Sequence, residues 1–135
     1  MTQEIIKEAF QTEIDIETIT KQNGEYNNTY LSEYNGVPGL KPGEYITVNK
    51  HPDNALCHKF REGTNQWGKE WVLKNAFVRV GDKEYSIGLF NEAADNFDNT
   101  GGVGEPIQIS KKKYTYVDGR GTERVKEELV FRKVE

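Results

Sequence analysis

The stretch from Trp71 to Ile109 constrains the fold most tightly. WVLKNAFVRV and EYSIGLF are two apolar-rich runs separated by Gly81-Asp82-Lys83, a β-hairpin signal. NEAADNF follows, with Ala93, Ala94 and Phe97 on one side of a short helix that Asn91 can cap. DNTGGVG then breaks the helix through Gly101, Gly102 and Gly104, and the chain returns to a strand at EPIQI. The order is strand, tight turn, strand, short helix, link, strand. A chain with this order is a small β-domain carrying one inserted helix.

The flanking segments extend the same plan. Residues 44–50, EYITVNK, read as a strand with Ile46 and Val48 inward. His51-Pro52-Asp53-Asn54 interrupts it and ALCHKF resumes it at Ala55, so the first strand is long and bent midway, as at a barrel corner. The polar loop REGTNQWGKE, residues 61–70, carries Trp67 into the second strand. On that strand Val72, Ala76, Val78 and Val80 share the core side, while Leu73, Asn75, Phe77 and Arg79 share the other. On the third strand Tyr85, Ile87 and Leu89 share one side, and Ser86, Gly88 and Phe90 the other. The fourth runs from Pro106 to about Val117, with Ile107 and Ile109 inward at its start. Asp118-Gly119-Arg120-Gly121 is a turn, and residues 124–134 return as the fifth strand. EELVFRKV also has helical spacing, but the preceding turn and the β-favouring Val130, Phe131 and Val134 select strand.

Five strands with a short helix between the third and fourth are the plan of an OB-fold, a Greek-key barrel. The expected class is therefore mainly all-β, with the OB-fold domain over residues 44–135. Residues 1–43 form an N-terminal extension packed on or near the barrel. Within it, EIIKEAF has helical spacing and predicts a short helix or turn, and TEIDIETIT predicts a strand at Glu13–Thr20. Residues 21–43 are rich in Gly, Pro and Asn and predict a long loop, along which Tyr26, Tyr30 and Tyr34 recur every four residues.

A chain of 135 residues suggests one domain with a modest core. The single Cys57 excludes an internal disulfide framework and fits a reducing compartment. The start, MTQEIIKEAF, is acidic where a secretory signal would be basic, and no apolar run approaches the roughly 18 residues of a membrane helix. The expected setting is cytoplasmic, away from membranes. Net charge is −4 but unevenly spread. Residues 1–60 carry five Lys/Arg against nine Asp/Glu, and residues 105–135 carry eight against six, including Lys111-Lys112-Lys113. A local basic surface can therefore coexist with a net negative charge.

Catalytic signatures do not assemble. There is no phosphate-binding loop ending in Lys-Ser or Lys-Thr, and no serine in a nucleophile elbow. Gly102-Val103-Gly104 precedes a strand rather than following one, so it reads as a link. Asp95 and Asp98 read as solvated or capping groups on the helix. His51, Cys57 and His58 lie close in sequence but lack the second ligand pair of a structural zinc site. The chain is read as non-enzymatic, without metal or cofactor.

The strongest functional pattern is aromatic and basic. Single-stranded nucleic acid needs flat rings to stack on bases and cations to track phosphates. Trp67 and Lys69 lie in the loop between strands one and two, with Trp71 at its exit. Phe77 and Arg79 lie on the outer side of strand two. Lys111, Lys113, Tyr114 and Tyr116 lie on strand four, and Arg120 and Arg124 flank the turn to strand five. In the alternative reading, Trp71 and Phe77 pack under residues 1–43 and the lysine run protects a strand edge.

SIGLFNEAADNFDNTGGVGEPIQIS resembles the strand–helix–strand core of OB-fold single-stranded DNA-binding domains of the replication protein A type. Leu89-Phe90 corresponds to the strand end, Ala93, Ala94 and Phe97 to the helix, Gly104 to the glycine, and Ile107 and Ile109 to the next strand. The resemblance covers about 25 residues directly and about 90 with the flanking strands. It implies a sequence-tolerant binder of single-stranded DNA, or RNA, in replication, recombination or repair, of phage or viral type in one version. It also implies stacking by Trp67, Phe77 and Tyr116. The competing expectation is a protein-interaction or structural module, a phage or virion component or a homo-oligomer, that uses the same aromatics as an interface.

Overall fold

The computed structural model describes residues 4–16, 30–31, 40–53 and 55–134. These form one nine-stranded, mainly antiparallel sheet. Its strands are β1 (Glu4–Lys7), β2 (Thr12–Glu13), β3 (Tyr30–Leu31), β4 (Glu44–Lys50), β5 (His58–Thr64), β6 (Glu70–Val80), β7 (Lys83–Phe90), β8 (Pro106–Val117) and β9 (Glu123–Lys133). Helix α1 (Asn91–Asp98) stands between β7 and β8 in the chain. Strands β7, β6, β4, β8 and β9 are successive antiparallel neighbours. The described residues leave this sheet open: β3 lies parallel to β7 at Tyr30↔Ser86 and Leu31↔Ile87, and no ladder among them joins β7 to β9. Helix α1 packs against β6, β7 and β9.

The β6–β7 hairpin follows from its turn. Val80 pairs with Lys83, leaving Gly81 and Asp82 as a two-residue loop, and Gly81 takes φ +61° as first of the pair. That register sets every opposite pair down to Leu73↔Phe90. Ala76, Val78, Tyr85, Ile87 and Leu89 consequently point into the core with Ile46, Val48, Ile107 and Ile109, all 1 % exposed or less. Burial of side chains of this size stabilises by roughly 1.5–3 kcal/mol each.

The bent first strand is two strands. Asn49 and Lys50 of β4 pair with Arg79 and Val78, and β5 pairs with residues 70–75 further along the same edge of β6. The break falls between Lys50, the last residue of β4, and His58, the first of β5. Asp53 N–H donates to His51 Nδ1 (3.0 Å) and Cys57 N–H donates to Asp98 Oδ1 (2.8 Å), so side chains replace the interrupted ladder. The strand resumes at His58 rather than Ala55 and reaches Thr64, which reduces the expected 61–70 loop to a turn at residues 65–69.

Residues 4–16 differ from the sequence reading. EIIKEAF is not a helix: β1 pairs antiparallel with β8 at Glu4↔Thr115, Ile5↔Tyr114 and Lys7↔Lys113. Strand β4 covers β8 only from Pro106 to Ser110, so the outer half of that edge offers unpaired N–H and C=O groups. A ladder there outweighs the weak local preference of a short helix. Phe10 then turns the chain at φ +58°, and β2 joins β4 in parallel. Of the strand expected at Glu13–Thr20, Glu13 lies in β2 and residues 14–16 in no strand; residues 17–20 lie outside the described residues, as do Tyr26 and Tyr34.

Asn91 is not the helix cap. Phe90 occupies the N-cap position in extended conformation, and Asn91 Oδ1 accepts from Val72 N–H at 2.9 Å. The helix exit is as expected: Gly101 has φ +70°, and a Cβ there would lie 2.8 Å from Ile107 Cγ2. No helix among the described residues is long and apolar enough to cross a membrane.

Candidate functional site

One amide organises the turn between β5 and β6. Asn65 Oδ1 accepts from Trp67 N–H (3.0 Å) and Lys69 N–H (2.9 Å). Asn65 N–H donates to Lys69 O (2.9 Å), and Gly68 N–H to Asn65 O (3.0 Å). From this fixed turn Trp67 projects with 80 % of its surface exposed. Trp71, four residues on, is half-buried. Its ring lies over Gly63 of β5 and meets Phe90 near edge-on, with centroids 6.0 Å apart.

Trp67, Trp71 and Phe90 line one open groove of about 1090 Å³. The first turns of α1 form another wall, through Asn91, Glu92, Ala93 and Asn96. The β8–β9 hairpin supplies the rest, through Lys111 and residues 126–129. Lys69, Lys111 and Lys126 face Glu70, Glu92, Glu127 and Glu128 around it, so the lining carries one more negative than positive charge. Glu128 is also held by Lys112 at 3.5 Å. The groove therefore pairs stacking surfaces with hydrogen-bonding groups of both signs and lacks the strong positive field of a phosphate channel.

Of the sequence-derived residues, the groove brings together Trp67, Lys69, Trp71 and Lys111. The others lie elsewhere. Phe77 is half-buried against the His58 ring, centroids 5.9 Å apart. Arg79 makes two hydrogen bonds to Glu84 Oε1, at 2.7 and 3.0 Å, and His51 Nε2 reaches the same oxygen at 3.0 Å. Arg79 above all, then His51, hold the Glu84 carboxyl below its usual range. Tyr114 is 6 % exposed, with Tyr116 against it and Lys112 Nζ 5.7 Å from its ring, so packing occupies its faces. Lys113 is half-buried opposite Glu127. The Arg124 side chain closes on Asp118, Nε donating to Oδ2 (3.0 Å), and the backbone N–H of Arg120 donates to Oδ1 (2.9 Å). Arg124 first, then the Thr122 and Arg120 amides, hold Asp118 below the ordinary carboxylate range.

Among the aromatic and basic residues of the groove, Phe90 and Lys126 were missed by sequence reasoning. Counting back from the Gly81-Asp82 turn would have put Phe90 opposite Leu73, two positions along β6 from Trp71. Lys126 depended on the β8–β9 register, Tyr114↔Lys126.

His51, Cys57 and His58 do not converge. His51 holds Glu84, His58 packs on Phe77, and Cys57 Sγ lies 3.7 Å from Ala94 O. Burial, reinforced by Asp98, pushes the Cys57 thiol far up, which disfavours its thiolate. No protein-family description matches this chain, and no curated protein is significantly similar to it.

Proposed function

We propose that the chain is a non-enzymatic OB-fold protein that binds single-stranded nucleic acid, DNA in the first instance, along the groove between its two long hairpins. The carrying observation is that Trp67, Trp71 and Phe90 share one groove with Lys69, Lys111 and Lys126. An open sheet ordered β7-β6-β4-β8-β9, with a helix between β7 and β8 in the chain, supports the OB-fold reading, that fold being a partly open five-stranded Greek-key barrel. In that fold the face of strands two and three, with the loops joining strands one to two and four to five, binds oligonucleotides. On this reading those strands are β6 and β7, and the loop joining strands one and two is the turn at residues 65–69, which lines the groove through Asn65, Trp67 and Lys69; the turn at residues 118–122 is not part of the lining. Bases stack on Trp71 and under Trp67, at roughly 1–3 kcal/mol per base. The three lysines contact phosphates at the rim, a role in keeping with the handling of exposed single strands in replication, recombination or repair.

A second reading is favoured by one specific observation: carboxylates outnumber lysines around the groove. Rings beside Glu70, Glu92 and Glu127 suit a basic peptide of a protein partner, held by cation–π and ionic contacts. Tryptophan emission, with oligo-dT and oligo-rU titrated at low and then moderate salt, separates the two. Nucleic-acid binding gives saturable quenching that fades as salt rises. Unchanged emission at both salts, in folded protein, overturns the nucleic-acid reading and leaves the peptide reading.

A further inference from the structure

Gly63 stands inside β5, where glycine weakens a strand and usually marks a bulge or a close approach. Its φ lies outside the left-handed region, so the backbone does not demand glycine. Its directly opposite residue on β6 is Trp71. A Cβ on Gly63 would sit 2.7 Å from Trp71 Cζ2, 3.0 Å from Cε2 and 3.2 Å from Nε1. The indole therefore occupies the space a side chain would take, against bare backbone on one side and Phe90 edge-on at another.

We infer that Gly63 is the positioning residue of the groove: the missing side chain lets the Trp71 indole lie over β5 and present a fixed ring to the ligand. This rests on the reading of the groove as a site where a base stacks. The two tryptophans then have different tasks. Trp71 is a seated platform, and Trp67 is a projecting ring on a rigid turn. Any side chain at 63 lifts the platform, because strand pairing holds both backbones in register while the indole alone can move.

The test is Gly63→Ala made in a Trp67→Phe protein, so that emission comes from Trp71 alone, with the Trp67→Phe protein as reference. A methyl suffices for the clash, and alanine suits a strand interior better than glycine, so the melting temperature is expected to hold or rise. Trp71 emission is expected to shift to the red and become more accessible to acrylamide. Affinity for oligo-dT is expected to fall about tenfold, the scale of one lost stack. In a Trp71→Phe background the smaller ring clears the methyl, and Gly63→Ala is expected to change affinity less than twofold. Unchanged Trp71 emission overturns the positioning role, as does an equal affinity loss in the Trp71→Phe background. If the wild-type protein binds no oligonucleotide, the nucleic-acid reading falls by that result, while the emission shift in the Trp67→Phe proteins still decides where Trp71 sits.

Discussion

The two ends of helix α1 differ in kind. Its first turns border the groove: Asn91 and Glu92 are exposed, and Asn91 spends its side chain on Val72 N–H rather than on the helix. Its last turn is sealed. Phe97 is fully buried and meets Phe131 edge-on at 5.8 Å. Lys50, 1 % exposed, lays its ammonium 4.6 Å from the Phe97 ring and donates to Asp98 O (3.4 Å) and Gly101 O (3.5 Å). Those carbonyls lie at or just past the helix C-terminus, where the dipole favours a cation. Burial nonetheless lowers the Lys50 pKa, and nearby Asp98 offsets only part of this. One end commits its polar groups to holding the fold, and the other leaves rings and charges facing solvent. Helix α1 thus both closes the core and edges the candidate site, and substitutions should separate the two roles.

The largest contrast is in stability. Phe97→Ala empties a fully buried ring site and is expected to cost about 3–5 kcal/mol, read as a large fall in the denaturation midpoint. Trp67→Ala, at a side chain 80 % exposed, is expected to stay within about 0.5 kcal/mol of the parent while weakening oligo-dT binding. Equal stability losses would erase the distinction between the sealed end and the open site.

A smaller effect sharpens the sealed end. The folded pKa of Lys50 lies below its ordinary 10.5, so between those two values the unfolded chain binds more protons. Stability from this group therefore rises with pH across that window. Lys50→Met removes the proton equilibrium. Denaturation of both proteins from pH 7 to 10.5 is expected to show wild type gaining relative to the variant, and parallel curves would mean that burial does not perturb the ammonium.

The smallest effect lies on the outer surface. Glu84 has a folded pKa below its ordinary 4.5, through Arg79 and then His51. Its contribution is present above pH 4.5 and is lost as pH falls through the folded value. Glu84→Gln is expected to flatten the acid limb of stability slightly and to leave oligo-dT affinity unchanged. A marked loss of affinity would extend the site to the Arg79 surface.

Much of the fold was legible because local rules and tertiary structure agreed. The glycine turn read at Gly81-Asp82-Lys83, which closes over Gly81 and Asp82 alone, and period-two alternation set the β6–β7 hairpin and its inward face. The amphipathic NEAADNF helix, its glycine exit and the β8–β9 hairpin were likewise local matters of chain stiffness and spacing. Residues 4–7 were not legible, because an unpaired edge of β8 more than a hundred residues away decides their conformation.

The candidate site divides in the same way. Residue types and hairpin counting placed Trp67, Lys69 and Trp71 together, since a turn brings its own neighbours close. Which distant cations join them was settled by how the β8–β9 hairpin lies beside the β5–β6 hairpin, which brought in Lys111 and Lys126 but not Arg120 or Arg124. Ion pairing took Arg79, and packing took Tyr114. Sequence by itself determined the long strands from β6 to β9, their inward faces and the chemistry available to a site, but not β1. The tertiary structure decided which of those groups share one groove and which are spent on each other, because contacts between segments far apart in the chain depend on sheet order and register.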